Sequence, residues 1–565
     1  MSVQSRSEDF SASLKLARKK DVVVVGGGPA GCVAALSAAR NGADVMLIER
    51  VGYLGGMMTG GGIGGIGING YIIEKGIGTE VVKGISLEIL HRIQAIGGAP
   101  EGPPTARHPT DSVMMTSLLD EMMEEAGVDV LFNTVVFDAL VEDGTVKGVA
   151  IANKSGGQMV LADVVIDASA DGDIAARAGA PFNHGREEDG RHHGGSMDMQ
   201  IGGIDIDKLI AWLRAQPNLT QEEREELERE RSELMGGGRP ANVYKSLKGE
   251  TLYQEPVVQP TDWDEVDRIR AAGGIPKLRL SPAAGGPIPG KATAPKGPDG
   301  KYVPLPAGLD REWVDYIKAG KVPLLYGAVE PVYPPPRFGN LGIFRHGKIR
   351  HGQMMSGVYE VWYDHTNEEE VSKSLIYRRK LNRVYLNFLR ERIPGFEEAY
   401  IVMESPTGGA REGRRIIGDY MLTEDDVLES RRFPDVIAKG GPRGPDAHSV
   451  TGLWGDGVAS PFKAPYDIPY RILLPQGLDG LIVAGRCASA TFAALGAIRD
   501  QATCMSMGEA AGAAAAIASR TGVQPRKVDM DRLQQALLDQ GVLLYIGDEQ
   551  PLRESVGDPV EPVEP

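Results

Sequence analysis

Apolar residues in this chain follow two rhythms. Residues 21–25 (DVVVV) and 44–48 (DVMLI) are short runs rich in β-branched side chains, the pattern of strands covered on both faces. Between them, residues 30–40 are rich in alanine and predict a helix that stops at Asn41-Gly42. Residues 112–126 carry apolar positions at helical spacing, and 128–132 predict another strand. Residues 135–141 and 146–150 predict strands paired across a turn at 142–145, and 160–166 a further buried strand. Strands alternating with helices predict an α/β fold with a parallel sheet.

The middle of the chain reads differently. Residues 220–234 predict a charged, solvated helix opened by a Thr220/Glu223 capping box. Residues 255–340 are rich in proline and glycine and predict long loops with short strands. Residues 366–393 predict a long helix with a second box, Thr366/Glu369, and a buried stripe of Tyr377, Leu381, Val384, Tyr385 and Phe388. Near the end, 481–484 predict a buried strand, and a small-residue helix runs from about Met505 to 520. This arrangement predicts a nucleotide-binding domain built from both chain ends, 21–200 and 466–525, with a mixed α+β substrate domain inserted at 201–465. Residues 1–20 are expected to form a flexible arm, and 526–565 a closing helix and tail.

The turn after the first strand carries chemistry. Gly26, Gly28 and Gly31 stand in the order G-x-G-x-x-G, between a strand and a helix, and a second strand then delivers Glu49. The first glycine permits a tight turn, the second a close approach to a pyrophosphate, and the third close packing of helix on sheet. The helix N-terminus offers free N–H groups to phosphate, and Glu49 can accept hydrogen bonds from a ribose diol. The fingerprint predicts dinucleotide binding without choosing between NAD and FAD. The glycine-rich loop at 50–70, interleaved with Met57, Met58, Ile63 and Ile66, is expected to wrap the cofactor with its backbone.

Composition narrows the classes. At 565 residues the chain exceeds one compact core, so two or more lobes are expected, and 42% hydrophobic with 24% charged residues is ordinary for a globular protein. A net charge of −16 counts against a nucleic-acid partner. Cys32, Cys487 and Cys504 form no C-x-x-C pair, so neither a redox dithiol nor a structural zinc is expected, and Cys32 reads as a packing residue. The first 20 residues are polar and basic and no window of 18 apolar residues occurs, so no membrane span and a cytoplasmic location are expected. Self-association as a homo-oligomer is compatible with this reading.

The segments GGGPAG (26–31), IER (48–50), GYLGG (52–56), DGD (171–173) and AGRCASA (484–490) together resemble the FAD-dependent oxidoreductase family, among the glutathione-reductase-like Rossmann flavoproteins. PGFEEA (394–399), REGRRIIGDYMLTEDDV (411–427), DAH (446–448) and IPYRILLP (468–475) extend the resemblance over roughly 21–520. The resemblance implies FAD as cofactor. It implies Gly26, Gly28, Pro29, Ala30 and Gly31 at the pyrophosphate, Glu49 at the adenosine ribose with Arg50 alongside, and Val135 at the adenine through its backbone. It further implies Gly55, Gly56 and Met57 near the pyrophosphate and flavin, Ala168 and Asp171 at the turn beside the cofactor, and Gly485 and Arg486 over the ribityl and phosphate part. Thr503 and Met505 would sit at a helix N-terminus aimed at the flavin pyrimidine ring, where negative charge develops on reduction. The usual small-Thr-Gly before DGD reads Ala168-Ser169-Ala170 here, a departure at a turn where backbone comes close.

No second nucleotide fingerprint follows a strand; the glycines at 284–290 and 440–444 lie among prolines. The expected reaction is therefore hydride transfer from a small polar organic substrate to flavin N5, with electrons passed to oxygen, a quinone or an electron carrier. Two alternatives stay open: a flavin-dependent reductase of an activated C=C bond, and a non-catalytic FAD-binding assembly or RNA-associated protein. The candidate catalytic residues are His448 as a base, Arg411 as a substrate clamp or a partner of Glu412, and Tyr466 as a pocket wall. The basic cluster RHGKIRH (345–351) reads as an anion site or an exposed turn. His184, His192 and His193 lack ligand spacing, so no metal is expected.

Overall fold

In the computed structural model, β1 (Lys15–Val25) lies inside a seven-stranded sheet. The structure describes residues 14–187, 190–215, 220–235, 308–324, 354–441 and 464–552, residue 271, and short strands at 243–245, 251–253, 446–447 and 458–459. Brief interruptions fall at 62–64, 67–70, 75–76, 100, 102–107, 362, 548 and 550. After β1 come α1 (Pro29–Arg40), β2 (Val45–Ile48), α2 (Ser112–Ala126) and β3 (Asp129–Leu131), then the hairpin β4 (Val135–Glu142) and β5 (Thr145–Asn153), and the long β6 (Gly156–Asp167). β3, β2, β1 and β6 pair in parallel, and the hairpin joins antiparallel along β6. The unbroken valines of β1 are explained by period two. Val22 and Val24 pack with α1 on one face, and Val23 and Val25 with Ile174, Leu481 and Val483 on the other.

Strand β1 begins well before Asp21, which corrects the expected arm. Lys15–Lys20 ladders onto Gln158–Ala162 of β6, and Lys20 bridges Asp44 at 2.6 Å and Asp129 at 2.8 Å. Its side chains are charged and mostly solvated, so no apolar rhythm marks a stretch that the backbone ladder and ion pairs hold.

Beyond β6, β7 (Phe182–His184) leads through a histidine-bearing loop to β8 (Gly195–Gly202), the central strand of a three-stranded antiparallel sheet with β9 (Met354–Val361) and β10 (Tyr400–Glu404). α3 (Glu368–Arg392) covers this second core, where Trp313 stacks on Tyr385 at 4.7 Å beside the buried Leu381 and Phe388. The Thr220/Glu223 box forms as expected, with Glu223 N donating to Thr220 Oγ1 at 3.2 Å. At α3 the cap is Asn367, whose side chain accepts from Glu369 N and Glu370 N, and not Thr366. Thr366 instead spends its hydroxyl on Asp364, for a reason that belongs to the site.

β11 (Arg414–Ile416) pairs antiparallel with β7, and the chain then returns to the first sheet. β12 (Leu481–Val483) adds in parallel to Val165–Asp167, the end of β6 that the hairpin leaves free. α4 (Phe492–Ile498) and α5 (Gln501–Thr521) follow. A Cβ at Gly508 would fall 2.1 Å from Ala30 O and one at Gly512 2.2 Å from Ala34 O, so α5 and α1 run parallel in close contact. α5 starts one turn earlier than Met505, so Thr503 and Met505 lie buried inside its first turns and not at its tip. At about 1.5 Å of rise per residue, its N-terminus reaches about 9 Å beyond that of α1. Among the described residues no helix is long and apolar enough to cross a membrane.

Candidate functional site

The fingerprint turn is shaped by backbone collisions. Gly26 has φ +99°, and a Cβ there would meet Ala168 O at 2.4 Å; one at Gly31 would meet Gly26 O at 1.7 Å. Gly28 differs: a Cβ there would meet nothing within 4 Å. The protein itself does not need that glycine, so the space beside it suits a ligand brought against the backbone. Gly55 N donates to Gly27 O at 2.8 Å, which seats Gly55, Gly56 and Met57 over the turn. Glu49 is buried and accepts from Gly27 N at 2.6 Å and Val51 N at 3.0 Å, one bond per oxygen, so each keeps a lone pair for a further donor. Val135 opens β4 and is exposed. The three cysteines are buried, and burial pushes the Cys32 thiol up to about 12, as a packing role requires.

Asp171 and Asp173 stand in sequence where acids N-cap a helix before Ile174, yet Asp167 supplies those acceptors. Asp167 accepts from Ile174 N and Ala175 N, both at 2.9 Å, and Ser169 Oγ accepts from Asp173 N. Asp171 and Asp173 are thereby released for longer-range work. Asp171 receives Arg486 at 2.7 Å, and Asp173 receives Arg414 at 2.9 Å. Arg486 Nη1 is buried without a hydrogen-bond partner among the described residues, a cation group free for an anionic ligand. Ala170, where the resemblance expects glycine, sits at φ +73°. Left-handed alanine costs about 1–2 kcal/mol, and glycine loses about 0.4–1 kcal/mol through its freer unfolded chain. Ala170→Gly should therefore raise stability by about 0.5–1 kcal/mol in a thermal melt; a lowered melting point would contradict this account of the turn.

A polar cluster forms where β7, the 185–193 loop, residues 363–367 and the turn before β11 converge. Arg415, fully buried, donates to Gly185 O at 2.9 Å, Glu187 at 2.9 Å, Ala490 O at 3.1 Å and to Glu412. It thus ties the late chain to the early one. Glu412 is buried, accepts from His193 N at 3.1 Å, and is pushed up to about 7 by burial against the pull of Arg415. His193 stacks on Phe492, the first residue of α4, at 4.0 Å. His365 Nε2 lies 3.2 Å from His193 O, an acceptor, so the ring donates there and Nδ1 carries the free lone pair. That Nδ1 is buried without a partner among the described residues, and burial holds both His365 and His192 below the usual histidine range, His192 at about 4.

The sequence candidates divide. Arg411 lies in the cluster, donating to Gly194 O at 2.6 Å, while its neighbour Glu412 is taken by Arg415. Tyr466 is a core strut whose hydroxyl donates to Ala497 O at 2.9 Å, which corrects its expected place on a pocket wall. His448 and residues 345–351 lie outside the described residues. Sequence reasoning missed Glu412, Arg415 and His365 as a group, because 47 residues or more separate His365 from the other two. The one available signal was the arginine-rich REGRR segment.

The profile of the FAD-dependent oxidoreductases matches residues 21–537. The chain belongs to this family. FAD is accordingly its cofactor, and the space beside Gly28 and the Arg486 donor left unpartnered among the described residues fit an anionic dinucleotide. Among relatives of this flavoprotein, a thiamine thiazole synthase from Aeropyrum pernix is 31% identical over 144 residues, covering 26% of this chain and 48% of the relative. A digeranylgeranylglycerophospholipid reductase from Methanothermobacter thermautotrophicus is 33% identical over 207 residues, covering 34% and 48%. The chain spans about half the length of these curated relatives. A geranylgeranyl bacteriochlorophyll reductase-like structure from Thermoplasma acidophilum aligns over 93% of this chain and 83% of its own, at 12% identity and a TM-score of 0.37.

Proposed function

We propose that this FAD-dependent oxidoreductase is a dehydrogenase or oxidase of a small polar organic molecule, which gives hydride to flavin N5 and whose electrons leave to oxygen, a quinone or an electron carrier. The bound isoalloxazine supplies the hydride acceptor. The turn at Gly26–Gly31 with Pro29 and Ala30 would hold the pyrophosphate, Glu49 the ribose, and Arg486 an anionic oxygen. The offset between the tips of α1 and α5 supports a cofactor that runs on from the phosphates toward the N-terminus of α5 at Gln501. The parallel sheet joined to an antiparallel hairpin supports the glutathione-reductase-like branch.

The observation that carries the polar substrate is the His365 Nδ1 atom, buried and left without a hydrogen-bond partner by the described residues. Native interiors pair nearly all such atoms, so a polar guest is the natural partner. Nδ1 would accept from a substrate O–H or N–H and orient its C–H toward the flavin. In anaerobic mixing of FAD-loaded protein with small hydroxy acids, amino acids and polyols, one class should bleach the long-wavelength flavin band without any added reductant. Bleaching only by a separate reductant, with return of colour on adding an activated alkene, would replace this reading with that of a C=C reductase.

A further inference from the structure

The histidine loop brings together three groups that the sequence spaces far apart. His184 ends β7, His192 lies eight residues on, and Asp364 follows β9 after 172 more. In the fold, His184 Nε2 lies 3.1 Å and His192 Nε2 3.7 Å from Asp364 Oδ1, and one ligand atom from each residue falls within a span of 4.8 Å. Two ligand atoms held about 2.1 Å from one ion, at tetrahedral to octahedral angles, stand about 3–3.5 Å apart. The 3.1 Å separation matches that spacing, and the 3.7 Å one lies slightly beyond it. We propose that His184, His192 and Asp364 form a binding site for a divalent first-row transition ion of the Fe(II), Co(II) or Zn(II) class.

The surroundings are those of a supported ligand set. Asp364 Oδ1 is aimed by Thr366, whose N and Oγ1 each donate to it at 2.8 Å, which is why Thr366 does not cap α3. The Asp364 N–H is itself held by Glu370 at 2.8 Å. His192 is buried, its Nδ1 has no hydrogen-bond partner among the described residues, and that atom lies 3.8 Å from Glu412 Oε2. At 3.7 Å, His192 Nε2 is too far from Asp364 Oδ1 for a hydrogen bond, a gap that an ion between them would bridge. Two histidines and one carboxylate leave further coordination positions open, which suits Fe(II) or Zn(II) sites that admit an outside oxygen ligand. Under the function proposed above, that ligand is an anionic oxygen of the polar substrate.

The test needs no substrate, so its failure leaves the flavin reading standing. FAD-loaded, chelator-treated full-length protein is titrated with Co(II) chloride, following dialysis stoichiometry and the visible cobalt bands. About one equivalent should bind, and His184→Gln and Asp364→Asn should each weaken binding about tenfold or more with flavin content unchanged. Both residues are partly exposed, so the substitutions spare the core. Paramagnetic NMR of the wild-type cobalt form, which depends on no variant, should show shifted imidazole signals from two histidines. Substoichiometric binding, wild-type affinity in both variants, or signals from fewer than two histidines would each overturn the site.

Discussion

Gly31→Ala should give a protein that is unstable and carries no flavin, whereas Gly28→Ala should fold normally and lose only the cofactor. The added Cβ of the first variant falls 1.7 Å from the backbone carbonyl Gly26 O. Gly26 has no room to retreat, because its own Cβ direction is closed by Ala168 O at 2.4 Å. Overpacking of ordinary side chains costs about 1–3 kcal/mol, and a backbone clash without a flexible atom lies at or above the top of that range. At position 28 the same atom enters free space, and the backbone at φ −73° accepts any residue. Its methyl would stand where a phosphate oxygen must approach, so FAD affinity should fall about tenfold or more, about 1.4 kcal/mol or above. Flavin released by heat and the melting point of the flavin-free chain separate the two effects. Wild-type flavin retention in Gly28→Ala would show that the space is unused.

The second large effect is expected at Arg415. Removing Arg415 takes away the charge that offsets the burial of Glu412, and breaking a buried ion pair in this way costs about 3–5 kcal/mol. Arg415→Ala also strips donors from Gly185 O and Ala490 O, so the junction of the early and late chain loosens with it. The pH dependence has a definite sign. Glu412 is held at about 7 against an ordinary value of 4.5, so the folded state prefers the protonated acid. That preference supports the fold fully below the unfolded value and is lost as pH rises through about 7. Without Arg415 the folded value moves higher still, and the variant should fall furthest behind wild type in alkaline buffer. The pair Arg415→Met with Glu412→Gln should recover much of the loss and flatten the pH profile. Melting points across pH check this; a single-variant cost below about 1 kcal/mol would mean that the pair is solvated and weak.

Much of the cofactor cradle was legible along the chain, because local rules produce it. A β-branched run, three glycines at fixed offsets and an alanine-rich helix each act within a few residues, and β1, α1 and β2 form close to where their side chains require. The late small-residue helix was legible for the same reason, since Gly508 and Gly512 mark a close approach without naming the partner. Where local signals compete, the reading failed. Thr366 fits a capping box, yet Asn367 caps α3 because Asp364 claims the threonine; Asp171 and Asp173 fit caps, yet Asp167 performs that role from the end of β6. Tyr466 looked available from its proline-containing strand, and the fold buried it under α4.

Periodicity, turn chemistry and glycine spacing were sufficient to determine an α/β dinucleotide-binding protein whose two ends share one sheet, since those signals record short-range sterics and burial. The polar cluster was decided by tertiary structure alone. Glu412, Arg415, His365 and the His184–His192–Asp364 group come from distant stretches of the chain, and their chemistry arises from mutual distance and loss of water. Neither is written in the spacing of residues along a chain.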